Sequence, residues 1–247
     1  VLRFQQFLNE GVDDPAIFKA VFLAGGPGSG KSFIVGRTGL PALGYRVINS
    51  DDAFEAGLRK AKMDMTPDNI FSPQGQEIRG RAKRITNLKN LRSMWGRLGL
   101  VIDGTGKDTD KVASQMNSLK ALGYDCAMIF VNTDLDTALI RNRMRARTLP
   151  DAEVEKYWKE VQRNIGKFQQ MFGKENFIVA DNSEGKDYKQ ETLRAYKDIR
   201  KFTEKPPKSE KAKKWIEKMR DIKKSGGQTD KRKSKMKRFS KSRPKYK

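Results

Sequence analysis

Five short apolar runs, each closed by turn-forming residues, punctuate the chain at 20–24, 45–49, 99–102, 126–131 and 177–180. Runs this short, without strict alternation, suit strands buried on both faces. The longer segments between them carry helical character, and this order predicts an α/β fold with a five-stranded, mainly parallel sheet covered by helices on both faces. Right-handed crossovers then bring the carboxyl ends of the strands to one edge, where ligands bind in such sheets. The residues to inspect are those that end strands: the loop after Ala24, then Asn49-Ser50-Asp51-Asp52, Asp103-Gly104-Thr105 and Asp181-Asn182-Ser183.

The first of these loops, Gly25-Gly26-Pro27-Gly28-Ser29-Gly30-Lys31-Ser32, completes the G-x-x-x-x-G-K-[ST] pattern directly after an apolar run. A cradle for phosphates needs backbone N–H groups turned inward, and glycines allow that turn without a side chain blocking the anion. The pattern predicts a P-loop NTPase fold, with Gly26, Pro27, Gly28, Ser29 and Gly30 wrapping a nucleoside triphosphate, Lys31 reaching its β- and γ-phosphates and Ser32 ligating Mg²⁺.

Three other patches supply what phosphoryl transfer needs, namely charge neutralisation and an aligned, deprotonated acceptor. Asp51-Asp52, after the second run, would face the phosphate loop across the sheet edge, with Asp51 as general base and Asp52 as a helix cap. Leu98-Gly-Leu-Val-Ile-Asp103 is an apolar strand ending in an acid that can support Mg²⁺, although many buried strands end in Asp-Gly simply because the chain turns there. Arg141-Asn-Arg143-Met-Arg145-Ala-Arg147 puts Arg141 and Arg145 on one helix face and Arg143 and Arg147 on another. They form either a lid that neutralises the transferring phosphoryl group or a set of cations complementing a helix dipole. Strand order alone puts nucleotide-base recognition near Asn182-Ser183.

Composition narrows the chemistry. With no histidine and one cysteine in 247 residues, histidine acid–base catalysis, Ser-His-Asp triads and Cys/His zinc clusters are excluded. Cys126 opens an apolar run and is expected to be a buried structural thiol. A single cysteine allows no disulfide within the chain, which fits a reducing compartment. No stretch approaches a membrane span, so a soluble protein of cytoplasmic type is expected.

The net charge of +22 is uneven: residues 205–247 hold 19 Lys/Arg against 4 Asp/Glu. Such sequence has little apolar surface to bury, and beyond Lys205-Pro206-Pro207 one short helix at 209–222 and an otherwise disordered tail are expected. The resulting division is an amphipathic segment at 1–18, a kinase-sized domain at 19–204 and a basic tail at 205–247. Between the second and third strands Ile78, Ala82, Ile85, Leu88 and Leu91 recur at helical spacing among Arg79, Arg81, Lys83, Arg84, Lys89 and Arg92. This predicts an amphipathic helix with a basic outer face, either merely solvated or facing an anion such as nucleic acid. The tail adds Trp215, Phe239 and Tyr246 among its cations, suited to salt-sensitive nucleic-acid attraction or to solubility alone.

In order and approximate spacing, Gly26–Ser32, Ile48-Asn-Ser-Asp-Asp52, Val101-Ile-Asp-Gly-Thr105 and Arg141-Asn-Arg-Met-Arg145 resemble the kinase domain of bacteriophage polynucleotide 5′-kinases. More broadly they resemble the P-loop kinase group that includes zeta-type toxins. The resemblance covers roughly 20–182 and implies an ATP- and Mg²⁺-dependent kinase in which Lys31 and Ser32 handle phosphates and metal. It also implies Asp51 as general base and Arg145 reaching the donor phosphates from a lid. The implied acceptor is a nucleic-acid 5′-hydroxyl, with a nucleotide or nucleotide-sugar behind it. A packaged, nucleic-acid-binding accessory protein that binds ATP without turnover is the competing class.

One departure bears on the acceptor. Where polynucleotide kinases carry an arginine three residues after the base, this chain has Phe54; Arg59 or the cations from Arg79 to Arg84 are the candidates to replace it. Residues 2–10, ending Leu8-Asn9-Glu10, are also similar to capsid-targeting segments of tailed-phage head proteins, implying a phage capsid partner and a virion interior location besides the host cytoplasm.

Overall fold

The computed structural model describes residues 11–145 and 148–225. The Leu8-Asn9-Glu10 pattern, Arg147 and the tail beyond 225 lie outside the described residues. The five apolar runs form strands β1 (Lys19–Ala24), β2 (Tyr45–Ile48), β3 (Gly99–Asp103), β4 (Asp125–Asn132) and β5 (Phe177–Asp181). They make one sheet in the order β2-β3-β1-β4-β5, with every pairing parallel.

The central strands are apolar on both faces because helices cover both. One face packs Phe22, Leu100, Met128 and Phe130 against Met116, Leu119, Phe168 and Phe172; the other packs Val21, Leu23, Ile129 and Val131 against Ile34, Ala195 and Ile199. The helices are α1 (Lys31–Arg37), α2 (Ser50–Lys60), α3 (Pro67–Phe71), α4 (Pro73–Trp95), α5 (Thr109–Ala121), α6 (Leu135–Arg143), α7 (Asp151–Arg163), α8 (Ile165–Phe172), α9 (Tyr188–Glu204) and α10 (Glu210–Lys224). Several starts carry side-chain caps in the sequence: Asn49 on α2, Ser72 on α4, Asp108 on α5, Asp134 on α6 and Asp187 on α9 each accept a backbone N–H. Among the described residues no helix is long and apolar enough to cross a membrane.

Two expectations about surface segments change. Helix α4 buries Ala82 and packs Ile78 on Phe54, Leu58 and Ile70, but Ile85, Leu88 and Leu91 face outward. The helical repeat was real, yet only its small member lets α4 approach α2 closely. Helix α10 lies beyond residue 204 and still docks on the core: Ala212 is buried, and Trp215, Ile216 and Met219 pack beside Phe18, whose ring meets Trp215 edge-on at 5.4 Å. Asp13 anchors the same helix through Lys223 and Arg220. At the opposite boundary, Val12, Ala16, Ile17 and Phe18 are all buried. The packed unit thus reaches beyond 19–204 on both sides.

Candidate active site

Parallel pairing brings the ends of β1, β2 and β3 to one edge, and a cavity of about 910 Å³ opens there. Its floor is the loop 26–32 with Ile102, Asp103 and Thr105. Asn49, Ser50 and Asp51 line one side, and Arg141 and Arg145 another. The separate patches predicted from sequence therefore meet around one space.

The loop is held by contacts its own sequence requires. Gly28 has φ +73, and a Cβ there would lie 2.4 Å from the carbonyl oxygen of Ala138 on α6. Gly30 has φ +82, and its Cβ would meet Asn182 Nδ2 at 2.3 Å. Both positions need the left-handed backbone and the missing side chain at once. Lys31 Nζ donates to the Gly25 carbonyl at 2.6 Å, and burial pushes its pKa down, partly offset by Asp103. Asp103 is pushed up, first by desolvation, against the pull of Lys31 and with a further push from Asp51. These mutual influences bring Lys31, Asp103 and Asp51 into one electrostatic group.

Fit to a triphosphate can be tested on the cradle. Ser29 is buried, and its Oγ finds no hydrogen-bond partner, although buried hydroxyls are normally satisfied. An anion seated on the loop would supply the missing acceptor. Ser32 lines the same cavity as Asp103. Among the described residues no three His, Cys, Asp or Glu side chains cluster as a metal cage. A divalent ion bound by Ser32 and Asp103 thus needs oxygens from the nucleotide and water, the usual Mg²⁺ arrangement.

The arginine segment divides its labour. Arg141 Nη1 donates to the Asn182 carbonyl at 2.9 Å and still lines the cavity with Arg145. Arg143 turns away and pairs with Asp151. Between them Asn142 is buried and clamps the backbone of Leu149 in both directions, Nδ2 donating to its carbonyl at 2.7 Å and Oδ1 accepting its N–H at 3.1 Å. The asparagine inside the arginine run thus fixes the base of the segment over the cavity, a role the sequence reading missed.

Asn182 is the residue expected near the nucleotide base. It is buried outside the cavity lining, and its side chain donates to the Ser29 carbonyl at 2.9 Å, so it is a strut between the phosphate loop and Arg141. The candidates to replace the arginine at Phe54 divide. Phe54 is buried in the α2–α4 contact, with the Arg79 guanidinium 4.6 Å from its ring centroid, and Arg59 and Arg79 are absent from the lining. Of the candidate cations only Lys83 lines the cavity, on a wall shared with Thr86, Asn87 and Asn90 of α4 and Lys111 and Gln115 of α5. Spacings of three, four and seven put the α4 group on one helix face, a signal present in the sequence but masked by the surrounding cations. Asn90 Oδ1 is buried without a partner, so this wall has an unmet acceptor.

Cys126 is buried, and burial raises its thiol pKa to about 12, which leaves it inert.

No curated protein matches the sequence. Among solved structures the chain is similar to the PezAT chromosomal toxin–antitoxin system of Streptococcus pneumoniae, at 17% identity over 88% of this chain and 92% of that one, with a TM-score of 0.49. It is similar to a chain of the Pnkp1/Rnl/Hen1 RNA repair complex at 19% identity and a TM-score of 0.46, covering 61% of this chain and 46%, under half, of that one. A gluconokinase from Sinorhizobium meliloti 1021 matches at 15% identity and a TM-score of 0.44, over 76% of this chain and 95% of the other. A family model for an AAA domain matches residues 21–165, from β1 through the phosphate loop and the arginine segment to the start of α8. With that match over more than half its length, the chain belongs to the AAA_33 family of AAA domains.

Proposed function

We propose that this protein is an ATP- and Mg²⁺-dependent kinase that transfers the γ-phosphate to a hydroxyl, with a nucleic-acid 5′-hydroxyl as acceptor. The observation that carries the reading is that Asp51 shares one cavity with the phosphate loop, Arg141, Arg145 and polar residues of α4. A protein that only binds nucleotide has no need of a carboxylate and a second compartment there.

In this reading the backbone of residues 26–30 and the Lys31 ammonium hold the triphosphate. Ser32 and Asp103 hold Mg²⁺, which when bound neutralises charge on the phosphate oxygens. Asp51 takes the proton of the acceptor hydroxyl as its oxygen bonds to the γ-phosphorus, and the bond to the β–γ bridging oxygen breaks to release ADP. Arg141 and Arg145 offset charge on the phosphoryl oxygens during transfer. Lys83 and Lys111 add cations on the acceptor side, consistent with an acceptor that carries phosphate.

A nucleotide or nucleotide-sugar acceptor is the second reading, favoured by the neutral hydrogen-bonding groups of Thr86, Asn87, Asn90 and Gln115 on the same wall. The test offers γ-labelled ATP with 5′-hydroxyl DNA and RNA, nucleoside monophosphates and nucleotide-sugars in parallel. Label on the polynucleotides that vanishes in Lys31→Ala is the expected result. Label confined to small acceptors supports the second reading, and ATP binding with no labelled acceptor refutes both.

A further inference from the structure

Helix α4 has a third face, besides those packed on α2 and lining the cavity. Arg81, Arg84, Leu88, Leu91 and Trp95 follow one another at intervals of three and four, with Ile85 and Arg92 beside them, and all seven are exposed. Trp95 is 74% exposed and Leu88 59%. Among the described residues Arg81 pairs with Glu77, and no ion pair involves Arg84 or Arg92. The ridge is contiguous with the cavity: Arg84 and Leu91 lie three and four residues from Asn87, which lines it. From Asn87 to Trp95 the helix advances about 12 Å at ~1.5 Å per residue, the length of three or four stacked nucleotides.

Charge decides what fits such a ridge. A second copy would set the same arginines against each other, with Glu77 as the only acid of the helix to relieve them. A polyanion that also has apolar faces fits better: backbone phosphates suit the arginines, while bases stack on Trp95 and lie against Leu88 and Leu91. We propose that the outer face of α4 is a track for single-stranded nucleic acid leaving the active site, contacting the nucleotides beyond the one phosphorylated. The proposal rests on the polynucleotide reading of the function and adds the surface that would make the enzyme prefer a strand to a single nucleotide.

The test compares a 5′-hydroxyl single-stranded dodecamer with a dinucleotide. Dodecamer affinity is read by fluorescence anisotropy without turnover, and KM and kcat are read for both acceptors. Trp95→Ala is expected to weaken dodecamer binding about five-fold or more and to raise its KM alone, leaving the dinucleotide KM and ATP affinity unchanged. Arg84→Gln with Arg92→Gln is expected to flatten the salt dependence of dodecamer binding by about 0.7 per charge removed. These residues are exposed, so unchanged melting temperatures certify the variants.

Equal dodecamer affinity for wild type and Trp95→Ala overturns the track, as does a wild-type dimer that Trp95→Ala dissociates, which would make the ridge a protein interface. If both acceptors are phosphorylated and Trp95→Ala changes neither, the track fails while the kinase stands. If Trp95 governs dodecamer binding but nothing is labelled, the ridge binds single strands while the kinase reading fails, and the track's role beside a phosphorylated end fails with it.

Discussion

Replacing Asp125 by alanine tests whether one buried ion pair joins the strand carrying the phosphate loop to the rest of the fold. Lys19 opens β1, Asp125 opens the neighbouring β4, and their side chains meet at 2.8 Å with the lysine only 2% exposed. Asp125 also accepts the backbone N–H of Lys208 at 3.2 Å, just ahead of α10. Removing one partner of a buried pair costs about 3–5 kcal/mol, because the remaining charge is stranded. Asp125 keeps some contact with solvent, so the lower end, about 3 kcal/mol, is expected. At ~2–4 °C per kcal/mol for a chain of this size, that is a fall of roughly 6–12 °C in melting temperature.

The pH dependence supplies a second check. Burial lowers the Lys19 pKa, against the upward pull of Asp125, so the folded protein binds this proton less tightly than the unfolded chain. A lysine of lowered pKa makes stability rise with pH up to its ordinary value, and loss of Asp125 lowers it further. The deficit of Asp125→Ala should therefore narrow between pH 7 and about pH 10. The double change Lys19→Met with Asp125→Leu removes both charges and should recover most of the loss. Thermal and denaturant melts at several pH values read all three variants. A single-variant loss under about 1 kcal/mol, a deficit that widens with pH, or no recovery in the double variant would refute the reasoning.

Other perturbations read the site directly. Gly28→Ala, with its Cβ forced to 2.4 Å from the Ala138 carbonyl, should abolish nucleotide binding measured by calorimetry. Gly36→Ala, on α1 with nothing within 4 Å, should bind normally and melt slightly higher. Burial raises the Asp134 pKa, but hydrogen bonds from Thr137 N–H, Thr137 Oγ1 and Glu184 N–H outweigh it and hold the carboxyl below its usual range. Asp134→Ala should then cost about 1–2 kcal/mol at neutral pH, and its melts should converge with wild type as pH falls below about 4. Lys83→Gln should raise the acceptor KM roughly ten-fold with ATP affinity unchanged, as steady-state kinetics would show.

How far the sequence reaches depends on where the information sits. The strands were legible because each is a largely apolar run closed by a turn, broken only by Arg46 in β2, and the phosphate loop because its glycines answer a local backbone demand, as the left-handed Gly28 and Gly30 show. What failed was partner identity. The repeat through Ile85, Leu88 and Leu91 announces a helix, but whether a stripe faces the core depends on what packs there, and Ala82 with Ile78 takes that place. The helix at 209–222 was expected, but the charge of the segment beyond 204 hid that Ala212, Trp215, Ile216 and Met219 dock it on the core. Asn182 stands at a strand end as expected, but that its side chain turns to the Ser29 carbonyl is a tertiary property that no local pattern carries. The polar wall on α4 left a trace in the spacing of Lys83, Thr86, Asn87 and Asn90, but that it faces the cavity could be seen only once β2, β3 and α4 were placed together.

The most direct test of the central claim is the rate of γ-phosphate transfer from ATP to a 5′-hydroxyl single-stranded oligonucleotide by wild-type and Asp51→Asn protein, with ATP affinity measured on both. The account predicts efficient labelling by the wild type and a fall of about 10²–10⁴ in kcat for the variant at unchanged ATP affinity. Equal rates in the two proteins would remove Asp51 as the base, and no labelling by a wild type that binds ATP would contradict the kinase account itself.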